Sequence, residues 1–395
     1  MNFIYDKDTD MSENPLISVI LPSYNHAEFV AMAVESVLAQ TVKDLELIVV
    51  DDGSNDGTPD IVARISDPRL RLIRMSQNRI QHPRNLALGL ARGKYIAFQN
   101  SDDMWLPEKL ETQLEVMKER EEVLVCFTDV RIIDHQGKHT TNLWAQHLFI
   151  ADNRSNLQWL RYFFETGNCL CISSALVRRE AIEQAGRFTG SFIQISDFEL
   201  WVRLAALGEF YVVQKKLTCF RDTTGHNTFM HGSGNLSGPG MNGQNRSVIE
   251  FAKLLENYVE YPIVNILPQI FTEIVSVEPD TKEVHLAQLV KYAWSLNTVL
   301  HSLFADSVIS RIMEDESARK KVTDYFGAEI IQEFVTRRGN LEIRFADQLA
   351  AQLADKDQTI NAILHSRSWM ITYPFRIIGT TLRKLKNQFE KLYRH

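Results

Sequence analysis

Residues 17–50 read ISVILPSYNHAEFVAMAVESVLAQTVKDLELIVV. Two apolar runs, Ile17 to Pro22 and Leu45 to Val50, enclose a segment in which Val30, Ala33, Val34, Val37 and Leu38 recur at helical spacing. Each run is broken by one polar residue, Ser18 and Glu46, the pattern of strands buried on both faces. The stretch is a strand-helix-strand unit, which calls for a parallel pair joined by a crossover.

The pattern continues downstream. A helix is expected near Pro59 to Ile65, a strand near Leu70 to Arg74, a helix near Pro83 to Leu90 and a strand over Tyr95 to Phe98. Strands near Leu124 to Thr128, Ile172 to Val177 and Tyr211 to Val213, with a helix near Phe198 to Ala206, extend the sheet. Such alternation predicts an α/β domain with a mainly parallel central sheet flanked by helices. We place it at 15–230, after a polar tail at 1–14. His231 to Gly243 holds five glycines in thirteen residues, so 231–247 reads as a linker or a lid over a ligand site. A helical appendage is expected over 248–340. In 341–395, a near-heptad stretch from Leu341 to Leu364 precedes a basic amphipathic helix, with Phe375, Ile378, Leu382, Leu385, Phe389 and Leu392 opposite Arg383, Lys384, Lys386, Lys391 and Arg394. The first suits self-association; the second suits an anionic membrane surface or another subunit.

At 395 residues, 45% hydrophobic and 24% charged, the chain has the composition of a globular protein with a substantial core. Its formal charge of −7 argues against bulk nucleic-acid binding. Cys126, Cys169, Cys171 and Cys219 lack the spacing of a zinc site and read as reduced thiols. The N-terminus has no apolar leader, and no window approaches about 18 uninterrupted apolar residues. The expectation is a cytoplasmic protein, neither secreted nor membrane-spanning.

Chemistry concentrates at the carboxyl ends of the expected strands, where open α/β sheets bind ligands. The Tyr95 to Phe98 strand runs into Asn100, Ser101, Asp102 and Asp103. Hard divalent cations take oxygen ligands and keep positions open for phosphates, so one or two carboxylates there suffice. After the first strand, Pro22, Tyr24 and Asn25 offer a turn and a ring to flank a nucleobase. After the second, Asp52 sits in an Asp-Asp-Gly turn and can accept hydrogen bonds from a base. Arg84 and Asn85 open a helix and can steady a loop or a diphosphate.

Together these segments resemble a family-2 inverting glycosyltransferase of the GT-A fold, over Pro15 to about Arg221. The matching pieces are Ser18-Val-Ile-Leu-Pro-Ser-Tyr-Asn25, Val50-Asp-Asp-Gly-Ser-Asn-Asp-Gly-Thr58, Arg84-Asn-Leu-Ala87, Gly93-Lys-Tyr-Ile-Ala-Phe98 into Ser101-Asp-Asp103, and Asp197-Phe-Glu-Leu-Trp-Val-Arg203. The resemblance implies a nucleotide-diphosphate sugar donor, Mn²⁺ or Mg²⁺ at Asp102, base recognition at Asp52 and Asp197 as general base. A single displacement then inverts the anomeric centre, and the ion neutralises the departing diphosphate.

Two positions depart from the family pattern. Asn100 stands where the family commonly has Asp, which implies weaker metal affinity, and Ser196 precedes Asp197 where an acidic residue is frequent. On the acceptor or diphosphate side the candidates are Asp103, Asn168, Arg221 and His226. Trp105 and Trp201 are expected to pack in the core. Ser368-Trp369 to Arg376 resembles a terminal segment of bacterial polysaccharide glycosyltransferases, implying surface-glycan assembly, such as O-antigen or capsule, on a lipid-linked or glycan acceptor at the inner membrane face. Ser18 to Asn25 has no glycine, against a nucleotidyltransferase phosphate loop, and no Gly-x-x-x-x-Gly-Lys occurs. A processive polymerase would need membrane helices. The serious rival is a catalytically degenerate binding protein.

Overall fold

The computed structural model describes residues 4–6, 14–76, 82–140, 148–149, 152–222, 249–276 and 281–337. The polar tail apart from 4–6 and Asn14, the glycine-rich segment, His226 and the whole of 341–395 lie outside the described residues. The chain divides into two compact units, Met1–Lys321 and Val322–His395. In the second, residues 322–326 and 329–337 are helical.

The first unit is built on one nine-stranded sheet in the order β1-β4-β3-β2-β5-β8-β7-β9-β6. The strands are β1 (Ile4–Asp6), β2 (Ile17–Ser23), β3 (Leu45–Asp51), β4 (Leu70–Arg74), β5 (Tyr95–Phe98), β6 (Met104–Trp105), β7 (Val123–Ile133), β8 (Leu176–Arg178) and β9 (Glu209–Arg221). Strands β4, β3, β2 and β5 are parallel neighbours, as the opening unit requires. Beyond β5 the sheet is mixed, because short β8 runs antiparallel to both β5 and β7 while β7 and β9 pair in parallel. The expected mainly parallel order therefore holds for the half that carries the carboxyl-end loops. This mixed α/β sheet flanked by helices is a GT-A-like fold.

Helices α1 (Val30–Leu38), α2 (Thr58–Ala63) and α3 (His82–Leu90) are the crossovers of the parallel half. Helices α4 (Lys109–Glu119), α5 (Asn156–Thr166), α6 (Arg179–Ala185) and α7 (Ser196–Ala205) follow along the rest of the sheet. Strand β9 is far longer than Tyr211 to Val213, since polar Gln214, Lys215 and Lys216 hide its continuation; its register against β7 shifts near Thr128 and Asp129. Strand β6 is two residues long and leaves no sequence signal.

The polar interruptions in β2 and β3 explain one another. Ser18 and Glu46 are cross-strand partners, and the Ser18 hydroxyl donates to Glu46 Oε1 at 2.7 Å. Arg92 N–H reaches Glu46 Oε1 at 2.9 Å, Gly93 N–H reaches Ser18 Oγ at 2.8 Å, and Arg71 and Arg92 both pair with Glu46 Oε2. A carboxylate 1% exposed is thus fully partnered, as buried charge demands. The arrangement needs the backbone close: a Cβ on Gly93 would lie 2.4 Å from Ser18 N and 2.7 Å from Ile17 C. Gly93→Ala is therefore expected to destabilise by about 2–4 kcal/mol through backbone displacement, read as a fall in the denaturation midpoint with unchanged far-UV signal.

All four cysteines are free and buried. Burial pushes the Cys126 thiol up to about 12 and Cys171 well above its ordinary value, so neither supplies a thiolate near neutral pH.

The appendage's helices include 249–255, α8 (Lys282–Ser295), α9 (Val299–Glu314) and α10 (Glu316–Phe326). Up to Lys321 it belongs to the same compact unit as the sheet. The Phe164 ring of α5 meets Tyr258, Phe271 and Phe304 edge-on at 5.0–5.5 Å. The Tyr258 hydroxyl donates to Leu160 O at 2.6 Å, and Arg161 forks onto Glu273.

Candidate active site

The site collects where β2, β3 and β5 end and where α3 and α7 begin. Two loops are stitched together first. Asn25 adopts a left-handed φ of 50°, and its side-chain oxygen accepts from Asn55 N–H at 2.9 Å while its own N–H donates to Ser54 Oγ at 2.8 Å. His26 N–H donates to Thr58 Oγ1 and Ala27 N–H to Asp56 Oδ2, each at 2.9 Å. Asp51 holds the second loop by accepting from Ser54 N–H at 3.0 Å. Asn25 is buried and clasps the two loops together. Pro22 and Tyr24 stay half-buried, and Asp52 is buried beside them, its N–H on Ser23 O at 2.8 Å.

The loop after β5 separates its two carboxylates. Asp103 turns inward and is 1% exposed; it accepts from Ser173 Oγ at 2.5 Å, Arg221 N–H at 2.9 Å and Asn100 Nδ2 at 3.3 Å. Burial and the adjacent Asp102 carboxylate push its pKa up to about 8, against the pull of those donors. Asp102 sits at the rim, 9% exposed. Beneath the loop, Trp105 donates to Ser173 O at 2.7 Å, as its expected packing role requires. Trp201 is fully buried in the core.

Asn100 is a bridge. Its Nδ2 faces Asp103 while its Oδ1 accepts from Arg84 Nη2 at 3.3 Å. An aspartate in this orientation would set a second carboxylate against buried Asp103, so the amide suits its surroundings. Ser101 hydrogen-bonds His26 Nδ1 at 2.6 Å, tying this loop to the one after β2; nothing in the sequence marked His26 for that job.

Arg84 connects the two chemical ends of the site. It interacts electrostatically with both Asp197 and Asp102 and lies 5.7 Å from the centre of the Phe188 ring. Burial lowers its pKa and the two carboxylates raise it; a guanidinium remains cationic through such a shift. Asp197 is on the first turn of α7. Burial raises its pKa, opposed by Arg84 and by the N–H groups of Phe198 and Asp197 itself. A half-buried carboxylate with a raised pKa is a better proton acceptor than a solvated one.

Two acceptor-side candidates have other employment. Asn168 makes a local turn with Leu170. Arg221 is 0% exposed, and its guanidinium donates to the carbonyls of Asp102 at 2.7 Å and of Asp134 and His135 at 2.8 Å. It also lies 4.8 Å from the Phe29 ring centre. Through these bonds Arg221, expected on the acceptor or diphosphate side, braces the Asp102 loop from behind. Among the described residues no group of three or more His, Cys, Asp or Glu converges as a ready metal cage.

Residues 18–186 match the model of Glycosyl transferase family 2. The chain carries a family 2 glycosyltransferase domain. A candidate teichuronic acid biosynthesis glycosyltransferase of Bacillus subtilis is 46% identical over 31% of this chain and 50% of its own. A glucosyltransferase of Escherichia coli that acts from UDP-Glc on a GlcNAc-diphosphoundecaprenol is 39% identical over 30% of this chain and 47% of its own. An uncharacterized glycosyltransferase of Rickettsia felis is 30% identical over 54% of this chain and 34% of its own. The chain thus spans only about a third to a half of the length of these relatives. A mannosyltransferase of Pyrobaculum calidifontis solved with GDP-Man and Mn²⁺ aligns over 85% of this chain and 88% of its own at 16% identity and a TM-score of 0.46. A likeness that loose carries no residue role across. The family 2 segment contains every candidate from Pro22 to Asn168, whereas Asp197 and Arg221 lie beyond it.

Proposed function

We propose that this glycosyltransferase is inverting: it moves a sugar from a nucleotide-diphosphate sugar to a hydroxyl of a glycan or lipid-linked acceptor, with Asp197 as general base. One observation carries the reading. Arg84 lies in the electrostatic reach of both Asp197 and Asp102, so a carboxylate with a raised pKa and a carboxylate at the phosphate end flank one cation. The acceptor hydroxyl would give its proton to Asp197 as its oxygen bonds the anomeric carbon, and the carbon–oxygen bond to the diphosphate breaks on the opposite face. Arg84 would hold Asp197 ionised until that moment. Asp52, Tyr24 and Pro22 would flank the nucleoside.

The residues suit a divalent ion that is completed by substrate. Asp103 is occupied by three donors, which leaves Asp102 as the carboxylate for Mn²⁺ or Mg²⁺, and these ions are held through one or two carboxylates plus donor phosphates. When bound, the ion would neutralise the leaving diphosphate. The relatives' part in undecaprenol-linked and teichuronic acid synthesis supports a cell-surface polysaccharide as product. The basic amphipathic spacing in the sequence from Phe375 to Arg394 supports placement at the inner membrane face; no described helix is long and apolar enough to cross a membrane.

The test is a panel of nucleotide-sugars with Mn²⁺, scored for thermal stabilisation and nucleotide diphosphate release, beside Asp102→Ala. A shift with one donor, dependent on metal and lost in the variant, is the expected result. A panel with neither shift nor release would favour the degenerate binding protein.

A further inference from the structure

The loop ahead of Asp197 is held from outside the catalytic domain. Ile193, Gln194 and Ile195 donate three consecutive backbone N–H groups to one carboxylate, that of Glu250: Ile193 to Oε1 at 3.0 Å, Gln194 and Ile195 to Oε2 at 2.8 and 3.1 Å. Glu250 is 6% exposed and belongs to the helical stretch 249–255 of the appendage. The same stretch grips the segment twice more. Phe251 packs against Phe198 at 5.6 Å between ring centres, and Lys253 Nζ lies 5.6 Å from the Phe192 ring centre. Helix α7 has no side-chain cap of its own on Ile195, so the backbone that leads into Asp197 takes its acceptors from Glu250.

The segment's other end is fixed to the opposite side of the site. Asn85, next to Arg84, exchanges two hydrogen bonds with the backbone of Phe188, 2.8 Å to its carbonyl and 3.1 Å from its N–H. Residues 188–195 therefore run from a clamp beside Arg84 to a clamp at Glu250, and Asp197 follows two residues later.

We infer that Glu250 is a positioning residue for Asp197: the appendage carboxylate sets the backbone of 193–195 and thereby the direction in which the first turn of α7 presents its base. The inference rests on the assignment of Asp197 above. Proton transfer from an acceptor hydroxyl tolerates little displacement, and a shift of about 1 Å can cost about 10²-fold in rate. Among the described residues, the contacts of Glu250, Phe251 and Lys253 given above involve none of β2, β3 and β5; β5 meets the segment at its other end, where Phe98 packs on Phe188 at 5.5 Å between ring centres.

The experiment uses the full chain with Glu250→Gln and Glu250→Ala. Glutamine keeps the shape but turns one acceptor into an NH₂ that faces an N–H, so it should lose part of what alanine loses wholly. Amide exchange is read first and needs no substrate: peptides spanning 190–200 should exchange faster in both variants, alanine more, with 17–23 unchanged. Unaltered exchange at 190–200 overturns the inference. With the donor selected by the panel, Glu250→Ala should lower kcat about 10- to 100-fold while donor KM stays within about threefold. In an Asp197→Asn background it should cost no more than about twofold, because the residue it positions is gone. Wild-type kcat in Glu250→Ala, or an equal loss in both backgrounds, sinks the inference. Full turnover by Asp197→Asn alone would overturn the base assignment instead, a failure visible without touching Glu250.

Discussion

Asp197→Asn is expected to lower kcat by about 10²- to 10⁴-fold, about 3–5 kcal/mol of transition-state stabilisation, while donor affinity and the denaturation midpoint stay near wild type. The side chain is half-buried at the first turn of α7 and retains its shape in the variant. Steady-state turnover beside nucleotide-diphosphate binding separates the two effects. The pH profile adds a signed test. A base works deprotonated, so turnover must fall as pH drops through the folded-state pKa of Asp197, which burial holds above the ordinary 3.8. Arg84 opposes that rise, so Arg84→Gln should move the acid limb to higher pH. A limb that moves to lower pH, or stays where it was, contradicts the coupling. Asp197→Asn should abolish the limb in whatever turnover survives.

Arg221→Ala should be the most destabilising substitution in the site. It leaves the carbonyls of Asp102, Asp134 and His135 without their donor and removes a cation from beside Asp102 and Asp103. Unpaired buried groups cost about 1–3 kcal/mol each and a stranded buried charge about 3–5. A loss of about 4 kcal/mol or more is expected, a midpoint fall of about 6 °C or more for the unit Met1–Lys321. Arg221→Lys keeps the charge but not the fork, so it should recover only part. A diphosphate-binding arginine would behave differently: donor KM would rise and the midpoint would hold. Calorimetry on the two variants decides between the roles.

Much of the candidate site was legible as a cluster because it is carried by residue types that turns and strand ends seldom need together. The Ser101-Asp102-Asp103 run after a strand, the Asp51-Asp52-Gly53 turn and the Asp197 helix start each announce themselves. What could not be read was direction. Asp102 and Asp103 are adjacent and alike in sequence, yet one faces the rim and the other is enclosed by Ser173, Arg221 and Asn100. Asn25 was marked by its residue type as a candidate ligand contact, and its clasp between two loops left no trace in the sequence. The carbonyls around Arg221 were equally hidden, since nothing in a strand's last residue tells which of them will surround it.

By itself the sequence determined the parallel half of the sheet, the crossover helices and the order of the acidic loops, because periodicity and turn chemistry are local properties of a chain. Only the tertiary structure decided that Ser18 and Glu46 meet across β2 and β3, that β8 reverses and makes the sheet mixed, that Arg84 comes within electrostatic reach of both Asp102 and Asp197, and that Glu250 reaches the loop before Asp197. Each of these pairs groups far apart in the chain. Hydrogen bonding and charge act on distance and angle in space, and spacing along the backbone holds no record of either.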